Sequence, residues 1–118
     1  MSRPDDLLPL SALDFHVLLV LAREDLYGYA IMKRVAEESR GVVRVEIGSL
    51  YRVLSRLMEV GLVAEAEPPA DAPASHRGLP RKYYRITPEG AMAARAEARR
   101  LDDVLRLARG LLAETGTR

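Results

Sequence analysis

Ser49, Arg52, Ser55 and Arg56 follow one another at spacings of three, three and one. On a helix this spacing gathers them largely onto one side, because residues three and four apart are neighbours there. Their chemistry is recognition rather than reaction. An arginine guanidinium pairs bidentately with guanine, and a serine hydroxyl reaches phosphates or either kind of base. A second group is His76-Arg77-Gly78-Leu79-Pro80-Arg81-Lys82-Tyr83-Tyr84-Arg85, which holds four permanent cations, two aromatics and no acid. Arg77, Arg81 and Lys82 suit phosphate contacts, which supply affinity independent of sequence. His76 suits a phosphate contact as well. For each of these side chains the competing reading is an ordinary solvated surface.

Reaction chemistry finds little material. The absence of cysteine excludes disulfides, thiolate metal sites and cysteine nucleophiles. His16 sits inside an apolar stretch and reads as a packed or interface residue. No HExxH, glycine-rich phosphate loop or nucleophile elbow occurs. Asp102 and Asp103 are adjacent, so on a helix they point about 100° apart and do not converge on a cation. No catalytic residue, metal ligand or cofactor is expected.

The elements that must position the recognition groups follow from periodicity. Residues 10–23 form a helix, with Pro9 suiting its first turn and Asp14 near its positive end. Leu10, Leu13, Val17 and Val20 make one stripe, and Leu18, Leu19 and Leu21 carry apolar character round the axis. Such a helix is buried on more than one side, which in a small domain points to a second subunit. Residues 24–28 break the helix, and a second runs over about 29–39, with Gly41 as its left-handed cap. Val42, Val43 and Val45 favour a short extended segment. A third helix spans about 47–60 and stops at Gly61. Residues 62–67 and 81–86 read as strands of a hairpin whose long tip is rich in proline. Tyr83 and Tyr84 point to opposite faces, one to the core and one toward an interface. Thr87-Pro88-Glu89 starts a fourth helix that runs to about 113. Its Ala91, Ala94, Ala98, Leu101, Leu105, Ala108 and Leu112 form an unbroken heptad seam, which needs a partner helix.

The order helix, helix, helix, hairpin, long helix is a mainly α chain with the winged helix-turn-helix layout. In it the third helix enters the DNA major groove and the two-stranded wing lies along the backbone. This layout turns the balance for Arg52 and Arg56 from solvated surface to recognition. Length and composition agree with one such domain. The 118 residues include 48% hydrophobic side chains, too many for a disordered chain. The longest apolar run, Val17 to Ala22, is far short of the roughly 20 residues a membrane span needs. The N-terminus carries acids where a signal peptide has bases, so a soluble cytoplasmic protein is expected. Eighteen bases face seventeen acids, a formal charge of +1. The distribution is uneven: residues 1–46 carry six bases and eight acids, residues 47–87 six and four, residues 88–118 six and five. The near-neutral total therefore hides a basic third helix and wing, with modest non-specific affinity for nucleic acid.

Three blocks carry a family resemblance: Leu26-Tyr27-Gly28-Tyr29-Ala30-Ile31; Gly48-Ser49-Leu50-Tyr51-Arg52-Val53-Leu54-Ser55-Arg56-Leu57 with Gly61-Leu62-Val63; and Arg81-Lys82-Tyr83-Tyr84-Arg85-Ile86-Thr87-Pro88-Glu89-Gly90. In this order, across residues 10–112, they resemble the PadR family of transcriptional regulators. The single C-terminal helix resembles the family's short subgroup. The resemblance implies a homodimer on an operator in double-stranded DNA, usually a repressor, with first and last helices at the dimer interface. Residues 1–87 would bind DNA and residues 88–118 would dimerise. Tyr29, Lys33 and Tyr51 match positions for phosphate or base contacts, the alternative for each tyrosine being a packed ring with a hydrogen-bonded hydroxyl. The interface would hold Leu13, Val17, Val20, Ala98, Leu101, Leu105, Ala108 and Leu112. A small-molecule effector is compatible with the family. Without tryptophan, and with Phe15 the only aromatic ahead of Tyr27, an aromatic-stacking pocket is not expected. The rival readings are a winged-helix module for protein–protein contact and a regulator of the MarR-like or ArsR-like kind.

Overall fold

The computed structural model describes residues 4–72 and 81–115. A short 3-10 turn at Pro4–Leu7 precedes α1 (Ala12–Arg23), β1 (Leu26–Tyr27), α2 (Gly28–Glu38), α3 (Ile47–Glu59), β2 (Val63–Ala66), β3 (Tyr83–Ile86) and α4 (Pro88–Thr115). Helix α1 begins after Pro9, because Ser11 is its cap. The Ser11 hydroxyl accepts from the backbone N–H of Asp14 at 3.0 Å, which satisfies one of the orphan donors of the first turn.

Helix α1 is the centre of the core, and this corrects one expectation. Val17, Leu18 and Val20 have no exposed surface, and Leu21 has almost none. They pack with Ile31 and Val35 of α2, Leu50, Leu54 and Leu57 of α3, Leu62, Val63 and Tyr84, and Ala93 and Ala94 of α4. Most of the apolar character round α1 is thus met within one chain, with Leu19 left 37% exposed. Val17 and Val20 have no surface left to offer a second subunit, and Leu13 is half-buried against the same core.

The helix stops are alike. At the end of α3, Gly61 N–H donates to Met58 O at 3.1 Å and Leu62 N–H to Leu57 O at 2.9 Å. This is the Schellman pattern, and Gly61 supplies its left-handed residue at φ +83°. At the end of α2 the same pair of bonds runs from Arg40 to Glu37 and from Gly41 to Ala36. Here the left-handed cap is Arg40, at φ +55°, one residue before the expected glycine. The valines that follow form no strand. Instead Val43 is tied back to α2, its N–H donating to Ser39 Oγ at 2.9 Å.

The sheet has three antiparallel strands in the order β1-β3-β2, one more than expected. Leu26 and Tyr27 pair with Tyr84 and Tyr83, and Val63 to Ala66 pair with Ile86 back to Tyr83. Both tyrosines of β3 are buried. Tyr84 joins the core, whereas Tyr83 meets Tyr27 edge to face, with centroids 5.6 Å apart.

Helix α4 starts at Thr87, whose hydroxyl accepts from Gly90 N–H at 2.9 Å and donates to Gly61 O at 2.6 Å. The Thr87 N–H donates to Leu62 O at 3.1 Å. The first turns of α4 enter the core through small side chains, Ala93, Ala94 and Ala96, which let the helix axis come close. Beyond them the helix becomes exposed.

One acid is buried in this contact. Glu97 is 2% exposed, and its two carboxylate oxygens accept from Arg100 Nε and Nη2, both at 2.7 Å. These bonds, with the Arg100 charge and the Leu10 N–H, hold the Glu97 carboxyl below its ordinary pKa against the opposing effect of burial. A depressed folded-state pKa stabilises the fold above the unfolded value and loses that contribution as pH falls through the folded one. The gap in melting temperature between the wild type and Glu97→Gln is therefore expected to be widest at neutral pH and to narrow below about pH 4.5. A gap that stays constant from pH 7 to pH 3 in thermal melts would remove this role.

Candidate nucleic-acid interface

Helix α3 is amphipathic in the plainest sense. Leu50, Leu54 and Leu57 are buried to 1% exposure or less, which fixes the helix's rotation about its axis. At about 100° per residue, that rotation turns Arg52 and Ser55 away from the core and sets Ser49, Tyr51 and Arg56 on its shoulders. Arg52 and Ser55 are exposed and Ser49 is half-buried. Arg52 Nη2 donates to Ser49 Oγ at 3.0 Å, one turn back. This bond orders the guanidinium without neutralising it.

The start of α2 lies alongside. Tyr51 is 45% exposed, and its ring covers Gly28 so closely that a β-carbon there would sit 2.8 Å from the phenol oxygen. Glycine is what allows the two helices to touch at this point. Tyr29 is 53% exposed, with Lys33 one turn on and its Nζ 6.0 Å from the ring centre. Ser49, Arg52, Ser55, Tyr29, Lys33 and Tyr51 therefore combine two cations with four hydroxyls on α2 and α3. Neither Lys33 nor Arg52 has an acidic partner among the described residues.

Three expected contacts are placed differently. Arg56 does not stand free: its Nη2 lies 2.6 Å from Asp14 Oδ1, across 42 residues of sequence. Lys82 forms an ion pair with Glu65 at 3.0 Å on the wing. The hydrogen bond to that carboxylate holds the Lys82 ammonium above its ordinary pKa. Arg81 stacks on the ring of Tyr27, with the guanidinium carbon 4.2 Å from the centroid, a cation–π contact. Each already has a partner within the chain, which a phosphate would have to displace or share. His76 and Arg77 lie outside the described residues.

Among the described residues no group of three or more His, Asp or Glu is placed to hold a metal ion, and no helix is long and apolar enough to cross a membrane. What α2, α3 and the wing present is a surface of arginine, lysine, serine and tyrosine donors around one exposed helix. The Transcriptional regulator PadR-like family model matches residues 17–96, which include all of α2, α3 and the wing strands.

The chain belongs to the PadR-like family of transcriptional regulators.

Solved structures agree with this membership. A PadR family transcriptional regulator from Eggerthella lenta is 36% identical, with a TM-score of 0.59 over 84% of this chain and 81% of its own. A PadR-like regulator from Bacillus cereus is 26% identical, with a TM-score of 0.68 over 86% and 91%. A PadR family regulator from Clostridium difficile shares the fold at 24% identity, with a TM-score of 0.69 over 86% of this chain and 99% of its own. No curated protein matches the sequence. Family membership decides against the MarR-like and ArsR-like readings.

Two further features of this PadR-like chain lie on α1 and α4. One is a pocket of about 420 Å³ between α1 and α4, lined by Leu10, Phe15, His16, Glu97, Arg100 and Leu101 among others. His16 Nδ1 is buried there and has no hydrogen-bond partner among the described residues. The other is the width of the apolar face on α4. Leu101, Leu105 and Leu112 of the seam are exposed, and so are Val104, Leu107 and Leu111 beside them. At about 100° per residue these span roughly half the circumference, wider than a two-stranded seam requires.

Proposed function

We propose that this PadR-like chain is a homodimeric repressor that binds a pseudo-palindromic operator. The observation that carries the reading is α3 itself. Its rotation is locked by three buried leucines, and it turns Arg52 and Ser55 outward with Ser49 half-buried beside them, next to the exposed Tyr29 and Lys33 end of α2. In the major groove Arg52 and the serines read base edges, while Tyr29, Lys33, Tyr51 and the wing cations Arg81 and Lys82 fix register on phosphates. Residues 1–87 serve DNA and residues 88–118 serve pairing, with the first turns of α4 shared between the two tasks. Ala98, Leu101, Leu105, Ala108 and Leu112 form the contact with the partner's α4. The flank at Val104, Leu107 and Leu111 extends it. Two-fold symmetry then sets the recognition helices about 34–36 Å apart, one turn of the duplex. Such a protein works in the cytoplasm without catalysis. A small molecule in the α1–α4 pocket would bias the angle between protomers.

The decisive measurement is binding to the protein's own promoter fragment and to a random duplex, over 50–200 mM salt. The expected result is a linear fall of log affinity with log salt, by ~10³ or more if about six phosphates are contacted. A preference for the promoter of roughly 10³ or more should persist throughout. A flat salt response, or equal affinity for both duplexes, would leave the winged helix as a protein–protein module instead.

A further inference from the structure

The two arginines of α3 lie one turn apart but differ electrically. Arg52 bonds to an uncharged hydroxyl. Arg56, with its side chain 52% exposed, is bound at 2.6 Å to Asp14, whose side chain is 9% exposed. Asp14 is anchored from behind: it sits in the first turn of α1, and its N–H is held by Ser11. It is therefore a fixed negative charge set against the shoulder of the recognition helix. From this we infer that Asp14 withholds Arg56 from the DNA backbone and so lowers the sequence-independent part of the affinity. The inference rests on the DNA-binding reading above.

The physical argument is one of competition. A phosphate contact gains affinity mainly by releasing a condensed counterion. An arginine already neutralised by a carboxylate has no such gain, because taking up the phosphate strands a buried acid without its partner. Operator and random-duplex complexes both rest on phosphates and both bear this penalty, while the base contacts of Arg52 and the serines, which Asp14 does not touch, supply the preference between them.

The test compares wild type, Asp14→Asn, Asp14→Ser and Arg56→Gln on promoter and random duplex, each at several salt concentrations, with circular dichroism to verify the fold. Freed in both protomers, Arg56 should steepen the salt slope of either Asp14 variant by about one to two, at ~0.9 per phosphate. Affinity for promoter and random duplex should both rise by about tenfold at 0.1 M salt, with the preference between them unchanged. Arg56→Gln alone should leave the slope as in wild type. A slope that drops by about one or two in Arg56→Gln, or one unchanged in a folded Asp14 variant, overturns the inference. So does a loss of promoter affinity alone in the Asp14 variants, which would make Asp14 a support for base reading. If the Asp14 variants do not fold, Arg56→Gln decides the matter by itself. Wild type without salt-dependent binding would instead remove the DNA-binding reading.

Discussion

Leu105→Glu is expected to convert a dimer into a folded monomer and to abolish operator binding. Leu105 is 46% exposed within its own chain, so the substitution removes nothing from the core. In the proposed interface it costs the burial of a leucine, ~1.5–3 kcal/mol. Two-fold symmetry applies that cost twice. The sum of about 3–6 kcal/mol raises the dimer dissociation constant by roughly 10²–10⁴, before the desolvation of two carboxylates is added. Analytical ultracentrifugation at micromolar protein should show the mass halved, with an unaltered circular dichroism spectrum. On DNA the two half-sites would then be bound independently, each at affinities close to those for random duplex. An unchanged mass would remove the seam from the interface. Val17 and Val20, by contrast, are unsuited to this experiment: they are core residues, and charging them would unfold the chain.

The largest stability effect should come from one methyl group. Gly90 is buried in the first turn of α4. A β-carbon added there would penetrate the carbonyl oxygen of Leu62 and lie 3.0 Å from its carbon and 2.9 Å from Ile86 Cγ1. The obstruction is backbone, so no side-chain rotation relieves it. Overpacking of this kind costs ~1–3 kcal/mol or more. The higher helix propensity of alanine returns only about 1 kcal/mol. Gly90→Ala is thus expected to destabilise by about 2 kcal/mol, lowering the melting temperature by roughly 8–10 °C. Gly110→Ala provides the opposite sign. Gly110 lies in the same helix, and a methyl added to it would meet nothing within 4 Å. There propensity alone should stabilise by up to about 1 kcal/mol. Thermal melts of both variants check the pair; equal effects would show that helix propensity, not the Leu62 contact, governs position 90.

Periodicity made the helices and the hairpin readable, because each buries one defined face and the leucines of α3 repeat at helical spacing. It also placed Arg52 and Ser55 outward, with Ser49 at the margin. What it could not supply was the identity of the covering partner. Most of the apolar circumference of α1, Val17, Leu18, Val20 and Leu21, is covered by its own chain, though the same pattern fits a helix shared between subunits. Strand β1 is two residues long, too short for any alternation, and exists because Leu26 and Tyr27 find Tyr84 and Tyr83. The partners of Arg56, Lys82 and Arg81 depend on which elements meet in space. Asp14 and Arg56 are individually ordinary surface-type residues, and only the packing of α1 on α3 makes them a pair. Glu97 gave no warning either: an acid in a charged helix becomes a buried one because the alanines near it draw α4 onto α1.

One threonine joins three parts of the molecule. Thr87 binds the end of α3 through Gly61, the entrance of β2 through Leu62, and the first turn of α4 through Gly90. Mechanically it is a clamp at the base of a long arm. From it α4 extends 28 residues, about 42 Å, and its first turns are held a second time in the core by Ala93, Ala94 and Ala96. Only the stretch beyond Glu97 stands clear of the core. The base of α4 and the end of α3 are thus tied through Thr87 into one body, and any turn imposed on the arm is one that α3 must share.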